Sequence, residues 1–166
     1  SNIDDNLFGG SIEIRGISGF AYLPDRLIYP QETKLGNNIS VSFLKKIDVN
    51  NSLGIIFGQE ALQLYTFSQH NGEFNFELQP NLFWIGALYR YCGDEIYGPI
   101  RPFAEVMLGG SKYGPLGKFT GGIIYNPQDF ISMTLGFETT ALMYKYLGKY
   151  NFTEKFSLVY GLGIHF

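Results

Sequence analysis

The chain has 166 residues, of which 45% are hydrophobic, 17% aromatic and only 16% charged, with a net charge of -3. That charge is too small and too dispersed for a nucleic-acid partner, and no run of 18 apolar residues is present to form a transmembrane helix. Cys92 is the only cysteine, which excludes an intrachain disulfide and any cysteine-based metal cluster.

Alternating runs separated by turn residues recur along the whole chain. An apolar residue at every second position marks a strand with one greasy face. Residues 1–10 read as a short N-terminal segment. The first strand is expected over Ser11–Leu23, with Ile12, Ile14, Phe20 and Tyr22 on one face and Glu13 and Arg15 on the other. A polar connection, 24–37, leads to a second strand, Asn38–Lys46, with Ile39, Val41 and Phe43 outward. After a short turn the third, Ser52–Tyr65, shows Leu53, Ile55 and Phe57 on that face. Ser68–Glu73 is a polar tip. The fourth run, Phe74–Tyr91, changes phase: its apolar residues fall on even positions up to Leu82 and mainly on odd positions from Phe83. A one-residue change of phase beside Pro80 predicts a β-bulge near Leu82.

The turn residues Gly93, Asp94, Gly98 and Pro99 precede a fifth strand, Arg101–Ser111, with Ala104, Val106 and Leu108 outward. A Gly/Pro tip, Lys112–Gly117, leads to a sixth, Lys118–Tyr125. Asn126-Pro127-Gln128-Asp129 is a tight-turn signal. The seventh strand is expected over Phe130–Tyr144, with Ile131, Met133, Leu135 and Phe137 outward, and Lys145–Asn151 reads as a polar loop. The last run, Phe156–Phe166, places Phe156, Leu158, Tyr160, Leu162, Ile164 and Phe166 on one face, with Ser157, Gly161, Gly163 and His165 between them. Eight strands, with longer connections alternating with shorter ones, predict an all-β fold: one domain forming an antiparallel up-and-down transmembrane β-barrel, both termini at the short-turn end. Mean hydropathy near zero fits, because lipid-facing and interior residues cancel.

The last strand resembles the carboxy-terminal strand of bacterial outer-membrane β-barrels, in which residues such as Tyr160, Leu162, Ile164 and Phe166 form the signal read by the barrel assembly machinery. With Tyr89-Arg90-Tyr91 before the central turn and Arg101-Pro102-Phe103-Ala104-Glu105 after it, the chain resembles small eight-stranded outer-membrane barrels of the OmpA/OmpX-like class. The similarity is greatest to the outer membrane protein β-barrel domains of Bacteroidetes-type bacteria. The resemblance implies the bacterial outer membrane as location and membrane lipid, the assembly machinery and other outer-membrane proteins as partners. It implies no single activity.

The inward face carries Glu13, Arg15, Glu60, Arg90, Glu105, Lys118, Glu138 and Lys155, four acids and four bases. An eight-stranded interior has room for little beyond side chains, and buried charges must be paired. The expectation is one connected charge network that plugs the lumen, with Arg90, Lys118 or Lys155 reaching across to acids on other strands. Chemistry is sparse. Ser68, His70 and Glu73 could compose a hydrolytic set of the kind lipid A-modifying barrels use, but the order and the loop position do not match. Neither Asp4-Asp5 nor Asp94-Glu95 has metal-loop spacing. The reading is a non-enzymatic integral barrel without cofactor, structural or accessory to a larger outer-membrane complex. A soluble lipocalin-like ligand binder would require the opposite assignment of inside and outside.

Overall fold

The computed structural model describes residues 9–23, 38–67, 74–146 and 149–166, with side chains described for 9–17, 38–60, 82–143 and 154–166. Eight strands run in chain order: β1 Gly10–Leu23, β2 Ile39–Lys46, β3 Asn51–Phe67, β4 Phe74–Cys92, β5 Ile100–Ser111, β6 Gly114–Gln128, β7 Ile131–Tyr146 and β8 Lys149–His165. Each is antiparallel to its neighbours, and β1 pairs with β8, so the sheet closes on itself. Closure leaves no strand edge with unsatisfied backbone groups. The seam ends in reciprocal hydrogen bonds of 2.9 Å between the backbones of Gly10 and Phe166. Gly10 is therefore a strand residue, not part of an N-terminal extension.

Among the described residues the alternation holds on every strand. Each strand presents large apolar side chains outward, among them Ile14, Phe43, Ile55, Ile85, Leu108, Phe119, Phe137 and Ile164, all exposed. Leu108 is 70% exposed and Phe137 65%, whereas Glu13, Arg15, Glu60 and Lys155 are buried to 1% or less. Phe20 and Tyr22 lie outside the residues whose side chains are described. A continuous apolar exterior around a charged interior inverts the arrangement that water imposes on a folded chain.

The bulge expected near Leu82 is present in β4. Glu60 pairs with Leu82 and Leu62 with Gln79, so Pro80 and Asn81 oppose the single residue Ala61. Proline, lacking an N–H, sits where the ladder is already broken. The strand ends depart from the sequence reading. The 112–117 tip shrinks to Lys112 and Tyr113, because β6 begins at Gly114, not Lys118; Gly114 adopts a positive φ of 153° and pairs with Ser111. At its other end β6 runs to Gln128. Asn126 and Pro127 sit at a register shift inside the strand, and Asp129 and Phe130 make the turn. Phe130 thus belongs to the turn rather than to the seventh strand. Similarly β7 and β8 extend to Tyr146 and back to Lys149, removing most of the 145–151 loop. In each case polar residues that read as loop continue the backbone pairing beyond the apolar band.

Candidate functional site: the charged interior

Side chains alternate along each strand, and the pairing register sets which inward residues meet. Among the described residues the interior ion pairs fall into two groups. The first joins Glu13 and Arg15 of β1, Arg90 of β4 and Glu105 of β5. Arg15 donates from Nη1 to Glu105 Oε2 at 2.7 Å, from Nη2 to Glu105 Oε1, and from Nε to Glu13 Oε1. Arg90 donates from Nη2 to Glu13 Oε2 at 2.9 Å and from Nε to Glu105 Oε1. Each arginine touches both carboxylates and each carboxylate both arginines, a closed ring of charge-assisted bonds. The Phe103 ring lies 5.8 Å from the Arg15 guanidinium and 5.6 Å from that of Arg90.

The second group joins Glu60 of β3, Lys118 of β6, Glu138 of β7 and Lys155 of β8. Lys118 Nζ donates to Glu138 at 2.7 Å, to Thr140 Oγ1 at 3.1 Å and to Glu60. Lys155 Nζ donates to Glu60 Oε2 at 2.9 Å, and Thr120 Oγ1 to Glu138 Oε2 at 2.8 Å. The ammonium of Lys118 also lies 4.5 Å from the ring of Trp84, which is fully buried.

All eight expected charges therefore point inward and are paired, and Arg90, Lys118 and Lys155 supply the cross-barrel partners. The expectation of one connected network is corrected: there are two quartets, each of two acids and two bases. Apolar residues intervene along every strand that carries a charge of the first quartet. Ile17 follows Arg15 inward on β1, Met107 follows Glu105 on β5, Leu88 precedes Arg90 on β4, and Val159 separates Lys155 from Gly161 on β8; all are buried in one cluster. A charge quartet of zero net charge is self-sufficient, so nothing requires the two to touch. Space for the first quartet comes from β8. Gly161 pairs with Arg15, and a Cβ there would lie 2.8 Å from Arg15 Cγ and 2.9 Å from the Ile14 carbonyl oxygen.

Below the first quartet, at the end formed by the termini and short turns, the lumen widens into a cavity of about 660 Å³. Arg90 forms part of its floor, and Lys46, Cys92, Arg101 and His165 line its walls. Lys46 and Arg101 are absent from the expected inward charges. Their parity was readable: Lys46 continues the inward series Ser40, Ser42 and Leu44, and Arg101 precedes Phe103 and Glu105 by whole periods of two.

Tyr160, Leu162 and Ile164 lie on the outward face of β8 and Phe166 follows it, with Leu162 58% and Phe166 74% exposed. Cys92 is a partly buried free thiol. Ser68, His70 and Glu73, like Asp4 and Asp5, lie outside the described residues. Among the described residues no three His, Cys, Asp or Glu side chains gather as a metal site.

No family model and no curated protein matches the chain. Among solved structures it is similar to the N-terminal β-barrel domain of Pseudomonas aeruginosa OprF, with a TM-score of 0.57 and 10% sequence identity, covering 95% of this chain and 97% of that one. At this identity the likeness is one of fold.

Proposed function

We propose that this protein is a non-enzymatic integral barrel of the bacterial outer membrane, sealed in its interior and serving as a structural or accessory subunit of a larger envelope complex. The observation that carries this reading is the inverted distribution of polarity. Two neutral charge quartets are buried inside, and an apolar band on all eight strands faces out. In water such a band would drive aggregation; in lipid it is the required surface. A lipocalin-like binder needs the greasy face inward, which this arrangement does not provide. The fold shared with the OprF N-terminal barrel supports the membrane reading, and the resemblance of the sequence to OmpA/OmpX-like and Bacteroidetes-type barrels points the same way.

Membrane lipid is then the partner of the outer face, and the assembly machinery engages Tyr160, Leu162, Ile164 and Phe166 on the exposed face of β8. The two-residue connection at Lys112–Tyr113 projects little from the surface, which favours a structural or accessory role over adhesion. Planar-bilayer recording of the purified protein tests the sealed interior. The expected result is insertion without steady conductance. A steady, ion-selective current would mean that the quartets do not close the lumen.

A further inference from the structure

We infer that the cavity at the short-turn end is a binding site for a small amphiphilic anion, a phosphate ester or carboxylate carrying an apolar group. The volume, about 660 Å³, lies within the range of sites for small organic ligands. Its floor is closed by Arg90, which is bonded to Glu13 and Glu105, so the cavity is a pocket and not a passage.

Two cations on its walls are not neutralised. Among the described residues neither Lys46 nor Arg101 forms an ion pair with a carboxylate. Arg101 is held in place by backbone oxygens: Nε donates to the Gly93 carbonyl at 2.8 Å and Nη2 to that of Val49 at 3.5 Å. These two bonds tie the guanidinium to two different turns and leave further N–H donors available. Lys46 closes β2 on the inward parity and is half-buried. Beside them His165 Nε2 is buried without a protein partner. The described acids of this end, Asp48, Asp94, Glu95 and Asp129, sit in exposed turns, where solvent screens them more than it screens the half-buried cations. The wall is therefore electropositive and supplied with unused donors.

The apolar part of the ligand is specified by Leu44, Ile124 and Phe130, which line the same cavity. Elsewhere in the lumen every described charge of the quartets has its counter-ion. The contrast marks Lys46 and Arg101 as residues that hold something other than the barrel.

The test uses the whole chain in lipid nanodiscs and follows the His165 ring resonances by NMR, with a His70→Gln variant to assign them. Phenyl phosphate, inorganic phosphate and phenol are titrated separately. The expected result is a saturable shift with phenyl phosphate, weaker binding of inorganic phosphate, and none of phenol. Lys46→Gln should weaken phenyl phosphate by about tenfold, as the loss of a hydrogen bond to a charged group does, with the β7 amide resonances unchanged; Arg101→Gln should act in the same direction. Absence of a saturable shift, phenol binding as tightly as phenyl phosphate, or undiminished affinity in folded Lys46→Gln protein each overturns the site. Inorganic phosphate binding as tightly as phenyl phosphate overturns the amphiphilic specificity.

Discussion

Arg15 makes three of the five bonds of the first quartet, one to Glu13 and two to Glu105. Arg15→Ala should leave two buried carboxylates sharing Arg90 and destabilise the barrel by roughly 3–5 kcal/mol, less where water enters; urea unfolding in lipid vesicles measures it. Gly161→Val should also destabilise, by about 1–3 kcal/mol, because the added methyl groups overpack the space beside Arg15 and the Ile14 carbonyl. At the surface, Asp48 organises the β2–β3 turn. Asn51 Nδ2 donates to it, as do the backbone N–H groups of Asn50 and Asn51, each at 2.8 Å. These bonds favour the carboxylate and hold its pKa below the ordinary value of 3.8. A depressed folded-state pKa means that the contribution to stability is present above the unfolded value and lost as pH falls through the folded one. The Asn50 and Asn51 amide resonances should therefore titrate together, with a midpoint below that of an unstructured aspartate. A midpoint at the ordinary value would show that the turn bonds do not form in solution.

At the scale of the strands, the outward parity makes lipid exposure testable position by position. Leu135→Arg on β7 and Leu162→Arg on β8 should each cost about 2–4 kcal/mol at mid-membrane depth, again by vesicle unfolding. Unchanged stability at both positions would contradict the membrane reading. Parity was legible in the sequence because a period of two survives any error in the strand ends, and the β4 bulge was legible because the apolar residues fall on even positions before Pro80 and mainly on odd ones from Phe83; Leu82, counted with the first set, lies beyond the bulge and points into the interior. The ends of β6, β7 and β8 were not. Lys149, Asn151 and Glu154 pair in register with β7, and beyond the lipid band nothing in composition separates a hydrated strand from a loop. The grouping of charges was equally hidden. Glu60 meets Lys118 and Lys155, 58 and 95 residues away, and that meeting depends on the stagger of strands around the barrel, which no single strand records. Lys46 and Arg101 lay on a readable parity, but at strand ends, where parity is easily mistaken for turn.

For the whole molecule, closure, the apolar exterior and the two buried quartets form one account. Closure pairs the backbone groups along every strand edge, as a bilayer would require, and the interior tolerates charge because each quartet neutralises itself. In a membrane barrel of this register the odd positions of β7 face lipid and the even ones the plugged lumen. A nitroxide placed in turn at each position from Ser132 to Phe137, in the reconstituted protein, tests this most directly. Accessibility to oxygen is expected to alternate with a period of two, high at Met133, Leu135 and Phe137 and low at Ser132, Thr134 and Gly136, with little accessibility to a water-soluble nickel chelate throughout. High chelate accessibility at the odd positions would place them in water and contradict it.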